Sequence, residues 1–172
     1  MDTSLHIFTA GLFALLSAAA LAQTPSDAQI AGIVVAANTV DVNAGTLAKS
    51  KATNKDVKGF AQHMITDHTG SNKQATALVT KLKVKPEESD TSKKLKADGA
   101  ANVTKLKGLK GAEFDKAYID NEVDYHQAVL DAIDKTLIPS AKNAELKGLL
   151  EKTRPVIDDH LQMAKKIQSS MK

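Results

Sequence analysis

The stretch YIDNEVDYHQAV, residues 118–129, has the spacing of an amphipathic helix with polar residues on its apolar face. Tyr118, Tyr125 and Val129 recur seven and four residues apart, so they share one side of a helix at about 100° per residue. Glu122 and His126 lie one turn apart on the same side. A buried carboxylate is costly unless it is paired, hydrogen-bonded or bound to a cation. The stretch therefore predicts a helix that carries an imidazole and a carboxylate into the interior.

The same helical period continues on both sides of this stretch, and no strand-like alternation interrupts it. The chain has 172 residues, of which 42% are apolar and only 3% aromatic. This length suits one domain, and its core must consist mainly of aliphatic side chains, as in closely packed helices. Cysteine is absent, which excludes disulfides, thiolate metal sites and cysteine nucleophiles.

Several function classes find no support in the sequence. The net charge of +3 is spread over lysines mixed with acids, and aromatic stacking positions are scarce, so nucleic-acid binding is not expected. Phosphate-binding glycine loops, serine-hydrolase elbows and the zinc-protease motif are all missing. A packed bundle is also expected to lack the open cleft that glycoside cleavage needs. We predict no catalytic residue, and enzymatic activity remains an open alternative.

Residues 1–22 resemble an export signal. An uncharged apolar run ends in Ala20-Leu21-Ala22, which is a small-x-small cleavage pattern before Gln23. The run lacks a preceding Lys or Arg, and Asp2 is acidic, so a retained anchor is the alternative. We expect cleavage, export to the periplasm of a bacterium, and no membrane span in the mature protein. The domain organisation would then be a signal over 1–22 and one helical domain over 23–172.

Four long amphipathic helices and one weaker helix are predicted after the signal. The predicted spans are about 27–51, 55–82, 91–107, 112–137 and 141–171. The thin apolar stripe of the third span, with Gly99 inside it, indicates a connector that lies on the bundle. Pro155 predicts a kink or a restart in the last helix. The fold class is therefore all-α, an up-and-down four-helix bundle with a short connecting helix between its second and third long helices.

Each of the four long helices places at least one polar side chain on its inward face, near its middle. These side chains belong to Asp41, His68, Glu122, His126 and His160. Mid-helix positions of an up-and-down bundle meet at one level, so three imidazoles and two carboxylates are expected to share a small volume. Imidazole nitrogen and carboxylate oxygen suit Zn, Fe, Mn or Cu. We predict one transition-metal site from these five residues. The alternative is a metal-free buried His–carboxylate network that fixes helix register.

Three stretches carry a resemblance to a known bacterial family. They are FAQHMITDH at 60–68, FDKAYIDNEVDYH at 114–126 and PVIDDHLQMA at 155–164. The chain resembles the exported, ferritin-like domain of unknown function 4142 over about residues 26–168. The resemblance implies a ferritin-like four-helix bundle outside the cytoplasm, and it supplies no function.

The residues of the predicted site match this family's pattern only in part. His68, His126 and His160 match it, whereas Asp41 stands where the family usually has Glu and Glu122 where a neutral residue is expected. The two Glu-x-x-His motifs of di-iron ferritins are absent, so oxidation chemistry is not implied by the fold. The leading hypothesis is metal binding in envelope stress or metal handling. The alternative is a structural or interaction module of the cell envelope.

Overall fold

A computed structural model describes residues 24–171, and almost all of them are helical. The elements are α1 (Asp27–Lys51), α2 (Lys55–Lys81), α3 (Asp90–Gly108), α4 (Gly111–Ala132), a π-helical turn (Ile133–Leu137), α5 (Ile138–Ser140) and α6 (Ala144–Ser170). No strand occurs within residues 24–171, so the all-α prediction is confirmed. The predicted signal over 1–22 lies outside the described residues.

The helix starts follow from capping residues in the sequence. Ser26 accepts a hydrogen bond from the Gln29 backbone N–H, and the Gln29 side chain accepts from the Ser26 N–H, which forms a capping box at the start of α1. Asn54 and Asn143 cap α2 and α6 in the simpler way, each accepting from two backbone N–H groups. These caps satisfy amide donors that would otherwise lack partners. The first two helices begin where the sequence predicts, whereas α6 begins at Ala144, three residues after the predicted start.

The four long helices α1, α2, α4 and α6 form the bundle, and α3 lies outside it against α1. Gly99 explains how α3 approaches so closely, because a Cβ at this position would lie 2.7 Å from a methyl group of Val40 in α1. The glycine that weakens α3 as an isolated helix therefore permits its docking. The prediction of a connecting helix on the bundle surface is confirmed.

Two prolines affect the chain differently from the prediction. The restart predicted at Pro155 is wrong, because α6 continues from Ala144 to Ser170 with Pro155 inside it. Pro155 is exposed, and so is Glu151, whose carbonyl loses its helical donor, so water can satisfy that carbonyl. Helical structure was expected to end before Pro139. Instead, Pro139 lies inside α5, the short helix that continues α4 through the π-helical turn.

The core consists of two apolar layers separated by a polar layer. The first apolar layer contains Phe60, Met64, Phe114, Tyr118 and Ile119 among other residues. The second layer lies toward the opposite end of the bundle and is mainly aliphatic; it includes Ile30, Ile33, Leu130, Ile133, Leu150, Ile157 and Leu161. Along α1, α2 and α4, the inward polar residues of the predicted site fall between these two sets, whereas His160 of α6 lies at the edge of the second layer, between Ile157 and Leu161. Burial of the apolar layers, at about 25 cal/mol per Å², is the main stabilising contribution.

The first helix is also apolar enough to resemble a membrane span by length and composition. This property does not distinguish a span from the core helix of a bundle. Asp27–Lys51 packs against α2 and α3, and 44% of its most apolar window is buried.

Candidate metal centre

All five predicted site residues converge in the polar layer, and each is at most 3% exposed. They are Asp41 of α1, His68 of α2, Glu122 and His126 of α4, and His160 of α6. The three imidazole rings lie close together, with centroids 5.1 to 5.7 Å apart. His63, about one turn before His68, is exposed. The predicted convergence is therefore present, whereas the role of the five residues as metal ligands remains a prediction.

Each imidazole makes one hydrogen bond that fixes its tautomer. His68 Nδ1 lies 2.8 Å from Asn38 Oδ1, and the Asn38 amide nitrogen donates to Ser71, so His68 is the donor to the Asn38 oxygen. His126 Nδ1 donates to the backbone carbonyl of Glu122 over 3.0 Å. His160 Nε2 lies 3.0 Å from the carboxylate of Asp67 and donates to it. In each ring, the proton therefore sits on the hydrogen-bonded nitrogen and the other nitrogen carries a lone pair.

The remaining nitrogen of each ring has no hydrogen-bond partner among the described residues. These atoms are His68 Nε2, His126 Nε2 and His160 Nδ1, and all three are buried. One ligand nitrogen from each ring lies within 4.8 Å of those of the other two. Buried polar atoms are rarely left unpaired, and a purely structural network should satisfy its members. Three unpaired lone pairs in one small volume therefore form a site suited to a cation.

The two carboxylates flank this group of imidazoles. An Asp41 oxygen lies 3.4 Å from His68 Nε2, and a Glu122 oxygen lies 3.4 Å from His126 Nδ1. Asp41, Glu122 and His126 form a second set whose ligand atoms all lie within 4.8 Å of one another. Glu122 Oε2 and the Tyr118 hydroxyl are buried and also lack a well-formed hydrogen bond. Asp41 is thus the carboxylate nearest to a free imidazole nitrogen.

Burial keeps the imidazoles neutral. Loss of solvation, followed by the charges of His126 and His160, lowers the pKa of His68 to about 2. Loss of solvation, followed by the charge of His160, lowers the pKa of His126 to about 4. Burial also lowers the pKa of His160, against the raising effect of Asp67. All three rings are therefore unprotonated at neutral pH, which is the state in which imidazole binds a metal.

Burial has the opposite effect on the two acids, because it disfavours the charged carboxylate. It raises the pKa of Glu122 to about 8, against the lowering effect of polar contacts with Asp41 and Tyr118. The pKa of Asp41 is raised well above its usual value by burial and then by the charge of Glu122. Glu122 therefore retains its proton near neutral pH, and the neighbouring Asp41 is shifted in the same direction. A cation beside them would replace those protons and favour the carboxylates.

The donor set fits a divalent transition metal. Three imidazoles with one carboxylate are ordinary ligands for Zn²⁺, which binds nitrogen at about 2.0–2.1 Å in tetrahedral geometry. Ligand atoms on such an ion lie roughly 3.4 Å apart, and one nitrogen of each of the three rings already lies within 4.8 Å of the other two. The three hydrogen bonds to an amide oxygen, a backbone carbonyl and a carboxylate are the kind that orient metal-bound histidines.

Sequence reasoning missed the residues that orient the imidazoles. Asn38 is three residues before Asp41 on the same face of α1, so its spacing could have indicated a buried amide. Asp67 lies at the edge of the apolar face of α2, and only the tertiary structure brings its carboxylate to His160 on α6. The free hydroxyl of Tyr118 had no sequence signal, because tyrosine also serves as ordinary core packing.

A groove of about 900 Å³ extends from the surface to the polar layer. Asp41, His68 and His126 line its inner end, whereas the exposed Glu88 and Lys93 line its outer end. The prediction that the bundle has no open cleft is therefore wrong. The groove opens where α1 and α4 are not closely packed and where the π-helical turn forms part of its wall. Turns of this type often occur at functional sites.

Comparisons with known proteins place the chain in a family. None of the curated proteins compared with the chain matches it. Its fold is similar to the crystal structure of a DUF305 protein of Streptomyces coelicolor that is described as secreted. The two are 12% identical, with a TM-score of 0.71 over 84% of this chain and 93% of the other, so this likeness concerns the fold alone. The family described as domain of unknown function (DUF4142) matches residues 13–167. The chain therefore belongs to the DUF4142 family.

Proposed function

We propose that this protein is an exported helical bundle that binds one transition-metal ion through His68, His126 and His160, with Asp41 as the fourth ligand. The observation that carries the proposal is the set of three buried imidazole nitrogens that have no hydrogen-bond partner in the described part of the chain, residues 24–171. Each belongs to a neutral ring whose other nitrogen is held by an oxygen acceptor. Glu122 assists by its contact with His126 and by its proximity to Asp41.

The proposed cellular role is metal handling or protection of the bacterial envelope. The apolar N-terminal run with its small-residue cleavage pattern supports export. The description of the similarly folded Streptomyces protein as secreted is consistent with this role for a bundle of the same type. A binding role is favoured over di-iron oxidation because the Glu-x-x-His motifs are missing from the chain.

The first test is the metal content of the purified protein. We expect about one equivalent of bound metal after exposure to a panel of Zn²⁺, Mn²⁺, Fe²⁺ and Cu²⁺, and loss of that metal in the double variant His68→Ala, His126→Ala. His63→Ala is the matched control, because His63 lies on the same helix as His68 but is exposed. Equal metal content in the double variant and the wild type would contradict the proposal.

A thermal melt with and without a chelator separates the proposal from its alternative. A metal-free His–carboxylate network is the competing function, and the hydrogen bonds of His68 to Asn38 and of His160 to Asp67 favour it. If metal is bound in the native protein, a chelator lowers the melting temperature of the wild type but not of the double variant. A melting temperature that a chelator leaves unchanged in both proteins would support the metal-free network.

A further inference from the structure

The groove at the α1–α4 boundary has a property that metal binding alone does not require. An ion needs only a narrow path, whereas the groove occupies about 900 Å³, within the range of roughly 300–1,000 Å³ that is typical of small-molecule sites. Along α4 and the π-helical turn, it extends from His126 to Leu137, which corresponds to about 16 Å at 1.5 Å per residue. The groove is therefore long enough for an elongated organic molecule.

The aliphatic side chains that line the groove favour a ligand with an aliphatic chain. Ile33, Val34, Val129, Ile133, Leu150 and Ile157 line it. Tyr125 is the only Phe or Tyr among its lining residues, and the Tyr125 hydroxyl is occupied by a hydrogen bond to the Ala37 carbonyl. Polar side chains, among them Asn102, Asn121 and Thr153, also line the groove, so the aliphatic residues form one part of its lining. A flexible alkyl chain fits this aliphatic part better than a flat ring system or a sugar.

The residues at the inner end of the groove determine which ligand head group can bind there. Asp41, His68 and His126 line it, whereas His160 and Glu122 lie behind them and do not. A divalent ion held by three neutral imidazoles and the Asp41 carboxylate retains one positive charge. A monoanion with oxygen donors would neutralise that charge as a fifth ligand, since zinc can expand from four to five ligands. A carboxylate is the simplest such group and an ordinary ligand of these metals. Without the ion, the inner end presents unprotonated imidazole nitrogens and an Asp41 carboxyl group that burial shifts toward its neutral form, so it holds no positive charge that would bind the same anion.

We propose that the groove binds an aliphatic carboxylate whose chain lies along the aliphatic walls and whose head group coordinates the ion held by His68, His126 and His160. This inference rests on the proposed metal site, and it adds a class of ligand to it.

The test is calorimetric titration of the zinc-loaded and the metal-free protein with acetate, hexanoate and decanoate. For the zinc-loaded protein, we expect affinity to increase about threefold to fourfold per added methylene, or roughly a hundredfold from hexanoate to decanoate. We expect at least a tenfold weaker affinity of decanoate for the metal-free protein. Decan-1-ol, which has the same chain without the charge, should bind the two forms with the same affinity.

Two variants and a matched control test whether the alkyl chain of the ligand lies in the groove. Ala132→Trp fills the wall of the groove, and Thr136→Trp does so from an exposed position where the risk of misfolding is small. Both should weaken decanoate binding at least tenfold and leave zinc binding unchanged. Ala112→Trp lies on the same helix but outside the groove, at an exposed position, and should change neither.

The possible contrary results distinguish failure of the groove assignment from failure of the metal site. Zinc binding without chain-length dependence would overturn the groove assignment and leave the proposed function intact. Equal decanoate affinity of the zinc-loaded and metal-free forms would overturn the coordination of the head group. Failure of zinc itself to bind, seen before any carboxylate is added, would overturn the proposed function and this inference with it.

Discussion

The polar layer and the apolar layer beside it are almost equally buried, yet they are held together differently. In the apolar layer, Phe60, Phe114 and Tyr118 are at most 3% exposed, and their rings pack edge-to-face or stacked at 6.2 and 6.4 Å. The imidazoles of the polar layer lie as close to one another, but each leaves one nitrogen without a partner within residues 24–171. Apolar packing needs no ligand, whereas we propose that a bound ion completes the polar layer. We infer that the apolar layers provide stability and the polar layer provides the binding site.

The largest expected effect is the loss of stability when a cavity is created in the apolar layer. Phe114→Ala removes a fully buried ring and should lower the free energy of unfolding by about 3–5 kcal/mol, measured by urea denaturation. Zinc affinity of the folded fraction should stay within about threefold of wild type, because Phe114 lies outside the polar layer. A folded Phe114→Ala protein that has lost zinc binding would contradict the separation of the two layers.

Addition of zinc tests whether the polar layer binds a metal in the folded protein. At a free zinc concentration one hundred times the dissociation constant, the free energy of unfolding should rise by about 2.7 kcal/mol, because zinc binds the folded state. The measurement is urea denaturation with and without zinc. His160→Ala should abolish the increase, while His63→Ala, at an exposed position, should retain it.

The acids of the polar layer predict the pH dependence of the metal-free protein. The pKa of Glu122 is about 8 when folded and near 4.5 when unfolded, so the folded state holds a proton that the unfolded chain has lost between these values. The free energy of unfolding should therefore fall as pH rises from about 6.5 to about 8, by at most about 1.4 kcal/mol per pH unit for one proton. His68 and His126 oppose this trend only below pH 6.5, where the unfolded chain gains protons that the buried rings do not.

The variant Glu122→Gln isolates the contribution of Glu122 to the pH dependence of the free energy of unfolding. The variant should have a flatter pH dependence between about 6.5 and about 8 in urea denaturation of the metal-free protein, because glutamine does not titrate. An exposed acid on the same helix, Asp124, provides the control Asp124→Asn, which should follow the wild type. A Glu122→Gln protein with the full wild-type slope would show that another group holds the proton.

The smallest expected effect concerns the orientation of one ring. Asp67→Ala removes the acceptor of His160 Nε2 and should weaken zinc binding about tenfold while changing the melting temperature little, because Asp67 is partly exposed. Asp159→Ala changes the exposed neighbour of His160 in sequence and should bind zinc as the wild type does. Calorimetry of both variants makes the comparison, and equal affinities would remove Asp67 from the site.

The sequence predicted the helices and the convergence because both depend on local periodicity. The inward direction of Asp41, His68 and His160 follows from their spacing to apolar neighbours on the same helix, and equal depth follows from the up-and-down order of the helices. Capping by Ser26 and Asn54 fixed the ends of the first two helices in the same local way.

The sequence did not predict features that depend on contacts between helices. The hydrogen bond from His160 to Asp67 joins residues 93 positions apart. The groove depends on incomplete packing between α1 and α4 and on the π-helical turn at Ile133–Leu137, neither of which has a periodic signature. Pro155 was expected to interrupt α6, but its exposed position lets water satisfy the carbonyl that loses its donor.

The most direct test of the metal centre is an anomalous diffraction map of the protein crystallised with zinc. We predict one strong peak in the polar layer, about 2.0–2.1 Å from His68 Nε2, His126 Nε2 and His160 Nδ1, with Asp41 as the fourth ligand. A polar layer without an anomalous peak, with water or only hydrogen bonds at these three nitrogens, would contradict it.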